Sequence, residues 1–92
     1  MKTIVIEGKN FKDRESFHAF LKLQMNFPEY YGNNLDALWD CLTGEIKLPL
    51  KIVWKNFNIS KITLGDYADK AAELFIKAEK ALDKKFIFEI IN

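Results

Sequence analysis

The chain has 92 residues, 49% of them apolar and 29% charged, with a formal net charge of +1. A chain of that length forms one domain, residues 1–92, and that apolar share fills its core without metal or disulfide staples. The near-neutral balance argues against a general polyanion binder. No apolar run approaches the ~18–20 residues that span a bilayer, and the opening MKTIVIEGKN lacks the longer apolar stretch and cleavage site of a secretory signal. A soluble, cytoplasmic protein that makes no membrane contact is expected. Cys41 is the single cysteine. It fits a reducing compartment and reads as a small buried hydrophobe rather than a nucleophile, because its only possible imidazole partner is His18.

In chain order, Thr3 to Ile6 is a short β-branched run closed by Gly8, which suits a strand buried on both faces. From Asp13 to Gln24, Phe17, Phe20, Leu21 and Leu23 approximate a helical stripe, with Asp13 or Ser16 able to cap its start. Phe27-Pro28 marks a break, since the residue before proline avoids the helical region. A loop to Asn33 follows. Asn34 is a good N-cap and Gly44 a good left-handed terminator, which predicts a helix over Leu35–Thr43. Leu50 to Trp54 reads as a second strand after Pro49. Asn56 to Ile62 forms a short helix, ended by Gly65. From Asp66 or Tyr67 to Leu82, the positions Ala68, Ala71, Ala72, Phe75, Ala78 and Leu82 give a long helix with a small-residue face. Phe86 to Ile91 is the third strand, which the preceding helix makes parallel. The expected fold class is α/β, a single-domain three-stranded parallel sheet packed with about four helices.

Charge along this order is uneven. Met25 to Ile46 contains no lysine or arginine but holds Glu29, Asp36, Asp40 and Glu45, while Lys77, Lys80, Lys84 and Lys85 gather near the end. Such asymmetry speaks of partners rather than fold. At ~100° per residue, Leu35, Leu38 and Leu42 share one side of the second helix. Asp36 and Asp40 share an exposed stripe, and Trp39 lies on the border. Asp40 is expected in the last turn, where the helix dipole disfavours an anion, and Asp36 adds a like charge at i, i+4.

Two acids can divide general acid and base roles, but that needs differing environments, and neither a phosphate loop nor a histidine accompanies them. No catalytic residue is assigned and no enzyme is expected. Two aspartates at i, i+4 could hold a hard cation, but calcium takes six or more oxygens. No metal or other cofactor is expected. The bland alternative is a solvated helix face. Against it stand the missing cations and the concentration of Tyr30, Tyr31 and Trp39, since aromatics anchor interfaces. Tyr31 and Trp39 could equally be core residues reaching outward for a hydrogen-bond partner, with one of the two tyrosines given to packing. Together these residues describe an acidic, aromatic recognition surface.

The stretch PEYYGNNLDALWDCLTG, from Pro28 to Gly44, resembles the signature of the barstar family, intracellular inhibitors of the ribonuclease barnase. The similarity extends at lower density from KTIVIEG through PLKIVWKNF to the final strand. The resemblance implies a barstar-like sheet of three parallel strands with four helices, and a cis bond before Pro49. It also implies a bacterial protein, a monomer when free, paired with its nuclease as an antitoxin is with a toxin. The partner would be a basic, extracellular, guanyl-preferring ribonuclease whose active site the second helix and the loop before it plug. The carboxylate of Asp40 would mimic an RNA phosphate, accepting charge-assisted hydrogen bonds from arginine and histidine. Asp36 would pair with nearby cations and Tyr30 and Tyr31 would pack on the nuclease, with Gly32, Asn34, Leu35, Trp39, Thr43, Gly44 and Glu45 completing the contact.

The chain departs from the family pattern at the rim. Glu45 stands where the family has a tryptophan, Lys47 replaces an acid, and an acidic contact on the last helix falls at Lys77. A lysine there repels a basic surface or requires an acidic counterpart. The alternative function is an immunity or regulatory module using the same surface on a different basic toxin or partner protein. Direct RNA binding by the lysine-bearing helix lacks a patterned basic and aromatic platform, so no nucleic acid is expected as a direct partner.

Overall fold

The computed structural model describes all 92 residues, Met1–Asn92. Strand β1 (Lys2–Glu7) is followed by helices α1 (Arg14–Met25) and α2 (Leu35–Gly44), strand β2 (Leu50–Lys55), helices α3 (Phe57–Leu64) and α4 (Asp66–Ala81), a 3₁₀ turn (Asp83–Lys85) and strand β3 (Phe86–Ile91). The strands form one parallel sheet in the order β1-β2-β3. The register places Ile4 beside Ile52 and Ile52 beside Phe88, and Ile6 beside Trp54 and Trp54 beside Ile90. This is the expected single-domain α/β fold with three parallel strands and four helices.

Alternation along each strand sends Ile4, Ile6, Leu50, Ile52, Trp54, Phe86 and Phe88 to one face, where they join the buried residues of the helices in a single core. The opposite face stays largely open: Thr3 and Val5 are exposed, and Val53 is buried there outside that core. The expectation that Thr3–Ile6 is buried on both faces is therefore corrected. The helices cover only one side, so the β-branched run of β1 serves one buried and one wet face.

Local chemistry explains the element ends. Asp13 caps α1 by accepting the Ser16 backbone N–H at 2.8 Å, and the Ser16 hydroxyl accepts the Asp13 N–H at 3.1 Å, a reciprocal capping box. Left-handed Asn26 (φ 55°) then stops the helix just ahead of Phe27-Pro28. The buried stripe of α1 is Phe17, His18, Leu21 and Met25, with Phe20 half-buried and Leu23 78% exposed. Leu23 lies on the outer side of the helix, which corrects its place in the expected stripe. At Gly8 any Cβ would collide with the Asn56 carbonyl oxygen and the Ser60 hydroxyl, so the sharp exit from β1 requires glycine there. Gly65, with φ at 62°, turns α3 into α4. All five small or aromatic positions expected to face inward from α4, namely Ala68, Ala71, Ala72, Phe75 and Ala78, are buried. Leu82 lies half-buried just past its end. The peptide bond Leu48-Pro49 is cis.

Candidate functional site

Helix α2 is positioned from both ends. At its start the Asn34 side chain accepts the Ala37 N–H at 2.7 Å, and Asn33 (φ 56°) turns the chain into that cap. Leu38 and Leu42 are fully buried and Cys41 nearly so, which seats the inner side of the helix on the core. Burial pushes the Cys41 thiol pKa up and keeps it unreactive. Leu35, Ala37 and Trp39 are half-buried at the border. At its far end the Glu45 and Ile46 N–H groups both donate to the Cys41 carbonyl, at 2.9 and 3.1 Å.

Two details differ from the sequence expectation. The helix includes Gly44 and is capped by Glu45 at φ −111°, so Gly44 is not a left-handed terminator. Nothing lies within 4 Å of where its Cβ would stand. Asp40 therefore precedes the last turn, Cys41 to Gly44, rather than falling within it, and the dipole opposes it less than expected.

The loop before α2 is braced by a cluster of polar rings. His18 is completely buried, with Nδ1 2.6 Å from the Tyr31 hydroxyl and Nε2 2.7 Å from the Tyr67 hydroxyl. A neutral imidazole offers one donor and one acceptor, so one phenol donates to it and the other accepts from it. Burial drives the imidazole pKa down to about 4 and pushes the Tyr31 phenol well up. Phe27 packs on Tyr31 with ring centroids 4.8 Å apart, and the Arg14 guanidinium lies 4.4 Å over the Tyr67 ring. Tyr31 is thus a core residue at 5% exposure that holds the loop, whereas Tyr30, at 75%, faces solvent. Tyr30 donates to the Glu45 carboxylate at 3.0 Å, which ties the loop to the end of α2, and that hydrogen bond, with the carboxylate's charge, raises its phenol pKa.

In the sequence alone His18 stands out only as a possible partner for Cys41. Its spacing from Leu21 and Met25, i, i+3 and i+7, is the signal that places it in the buried stripe.

The four acids of the cation-free window fare differently. Lys22 of α1 reaches Glu29 at 3.4 Å, and Glu45 is engaged by Tyr30. The chain's ion pairs otherwise involve only Lys51 and Lys61, the latter with Asp66 and Asp69. Asp36 and Asp40 are exposed and take part in no ion pair or side-chain hydrogen bond. Gly32, Asn34, Thr43 and Gly44 are exposed around them, and the Thr43 hydroxyl is turned inward to donate to the Trp39 carbonyl at 2.8 Å. Of the eleven expected contact residues, Tyr31 alone is buried; Leu35 and Trp39 are half-buried and the other eight are exposed.

No group of three or more histidine, cysteine, aspartate or glutamate side chains is arranged to hold a metal ion, and no helix is long and apolar enough to cross a membrane. The loop and α2 together present two unpaired carboxylates, an exposed phenol and a half-buried tryptophan.

The chain is 49% identical over 86 residues to a Bacillus subtilis (strain 168) protein described as "Putative ribonuclease inhibitor YrdF", covering 94% of each chain. The family pattern described as "Barstar (barnase inhibitor)" matches residues 1–91. The chain belongs to the barstar family, whose members are inhibitors rather than enzymes.

Proposed function

We propose that this protein inhibits a barnase-like, basic ribonuclease by inserting α2 and the loop before it into the active site, with the Asp40 carboxylate taking the place of a substrate phosphate. Membership of the barstar family supports the inhibitor role. The observation that carries the mechanism is that Asp36 and Asp40 stand exposed and unpaired on a helix otherwise fixed at both ends. Unpaired carboxylates add little to folding, yet they are held ready for cations that cradle an anion. Preorganisation matters here: the cap at Asn34, the core contacts of Leu38 and Leu42 and the Tyr30 tie reduce the ordering cost of binding. Asp36 adds charge beside Asp40, Trp39 and Tyr30 supply apolar area, and the open position at Gly44 lets a partner's backbone approach the helix end.

Titrating barnase with this protein while following RNA cleavage tests the reading. Stoichiometric inhibition is expected, with an association rate that falls as salt rises, because the ~8 Å Debye length at physiological ionic strength screens the acidic face. Dissociation should respond much less to salt. Absence of inhibition would turn the assignment toward a different basic toxin, and an association rate indifferent to salt would remove electrostatic steering.

A further inference from the structure

Beside the acidic face of α2 lies a groove of about 320 Å³, lined by Trp39 of α2 and by Lys70, Glu73, Leu74 and Lys77 of α4. Lys70, Glu73 and Lys77 recur at i, i+3 and i+7, which puts them on one stripe of the helix. All three are exposed and none joins an ion pair of the chain, whereas Lys51 and Lys61 are both satisfied internally. Trp39 and Leu74 are half-buried and form the apolar element of the groove. The surface is therefore divided, with free carboxylates on α2, an aromatic seam at Trp39, and free ammonium groups on α4.

A uniformly basic partner would suit the first part and be repelled by the last. A polyanion would suit the last and be repelled by Asp36 and Asp40 across the seam, and by Glu73 within it. We propose that the groove between α2 and α4 is a second docking element that receives an acidic segment of the same partner protein. An apolar side chain rests on Trp39 and Leu74, and two carboxylates meet Lys70 and Lys77, which are about 10 Å apart along the helix axis. The inference rests on the reading of α2 as the nuclease-binding face. It makes Lys70 and Lys77 specificity residues: they reject nucleases whose active-site rim is basic throughout and select those with an acidic patch beside a basic pocket.

The test uses barnase as the probe, displayed as a library in which each surface residue in turn is changed to Glu. The library is sorted against this protein and against its Lys70→Glu/Lys77→Glu variant, whose unchanged melting temperature confirms that it is folded. Expected are Glu substitutions, clustered in one patch at the edge of the barnase active site, that tighten binding about tenfold to the unaltered chain and lose that gain against the double variant. Gains that persist with the double variant, or no such patch, would overturn the inference while leaving inhibition standing. Failure of the unaltered chain to bind or inhibit any library member would overturn the proposed function and this inference with it. A parallel titration with short single-stranded RNA gives a third reading. Saturable binding lost in the double variant would assign the groove to nucleic acid and also overturn the inference.

Discussion

The polar ring cluster under the loop and the acidic face of α2 meet in one stretch of chain at Tyr31 and Asp36, and they follow opposite rules. In the cluster every polar atom is matched: His18 is bonded on both nitrogens, and no buried side-chain nitrogen or oxygen anywhere in the chain lacks a partner. On α2, Asp36 and Asp40 are matched by nothing. Tyr31 and Tyr30 show the same split between neighbouring residues, one at 5% exposure and one at 75%. Groups that serve the fold are paired within it, because an unpaired polar group costs stability once buried. Groups left unpaired at the surface of a braced helix cost the fold little, and are free to meet a partner under the proposed function.

The contrast is sharpest in stability. Replacing His18 with alanine should cost about 3–5 kcal/mol, from the cavity and from two phenols left without their shared partner, read as a lower denaturation midpoint in urea. His18→Gln, which keeps a hydrogen-bonding side chain in the site, should recover part of it. A His18→Ala protein of normal stability but weakened inhibition would break the division by making the cluster part of the binding face.

Acid should probe the same residue. The imidazole pKa is about 4 in the folded protein against the usual 6.5. The unfolded chain therefore takes up this proton first. The contribution of neutral His18 is fully present above pH 6.5 and is lost as pH falls toward about 4. At about 1.4 kcal/mol per unit, roughly 3 kcal/mol is at stake. Urea denaturation across pH 7 to 4 should show that decline, and His18→Gln should flatten it. An equally steep decline in His18→Gln would place the titrating group elsewhere.

A smaller effect belongs to Gly44. Its backbone is ordinary helix and space for a Cβ is open, so Gly44→Ala should raise stability by about 0.5 kcal/mol through chain entropy. Inhibition should weaken if a partner closes over that position. A variant that is more stable and inhibits equally well would place Gly44 outside the contact.

Much of this arrangement is legible in the sequence because local rules and tertiary packing agree. Asp13 and Asn34 cap where their side chains predict, and the alanine face of α4 is buried as its period requires. The last strand starts and ends at Phe86 and Ile91 as read. Where they disagree, distant residues decide. Leu23 looks like core by composition and is exposed because α1 turns its Phe17 and Leu21 side inward. Gly44 looks like a terminator, yet the helix continues through it. Local pattern leaves open which of Tyr30 and Tyr31 packs, and contacts with His18, thirteen residues earlier, and with Phe27 accompany the burial of Tyr31. The acids of α2 were visible as a cation-free window. That Lys22 neutralises Glu29 and leaves Asp36 and Asp40 alone is a tertiary fact.

The central claim, that Asp40 serves binding and not folding, meets its most direct test in one variant read two ways. Asp40→Ala removes a residue with no partner in the chain and relieves a like charge one turn from Asp36, worth a few tenths of a kcal/mol. Its melting temperature should hold or rise slightly. Its inhibition of barnase should fall by roughly 2–5 kcal/mol, about 30-fold to several thousandfold, because the nuclease cations are left unpaired. Asp36→Ala should lose less, and the double variant should lose less than the sum of the two if both carboxylates meet one cationic cluster. A lower melting temperature with inhibition per folded molecule intact would contradict the phosphate-mimic role and return Asp40 to the solvated surface.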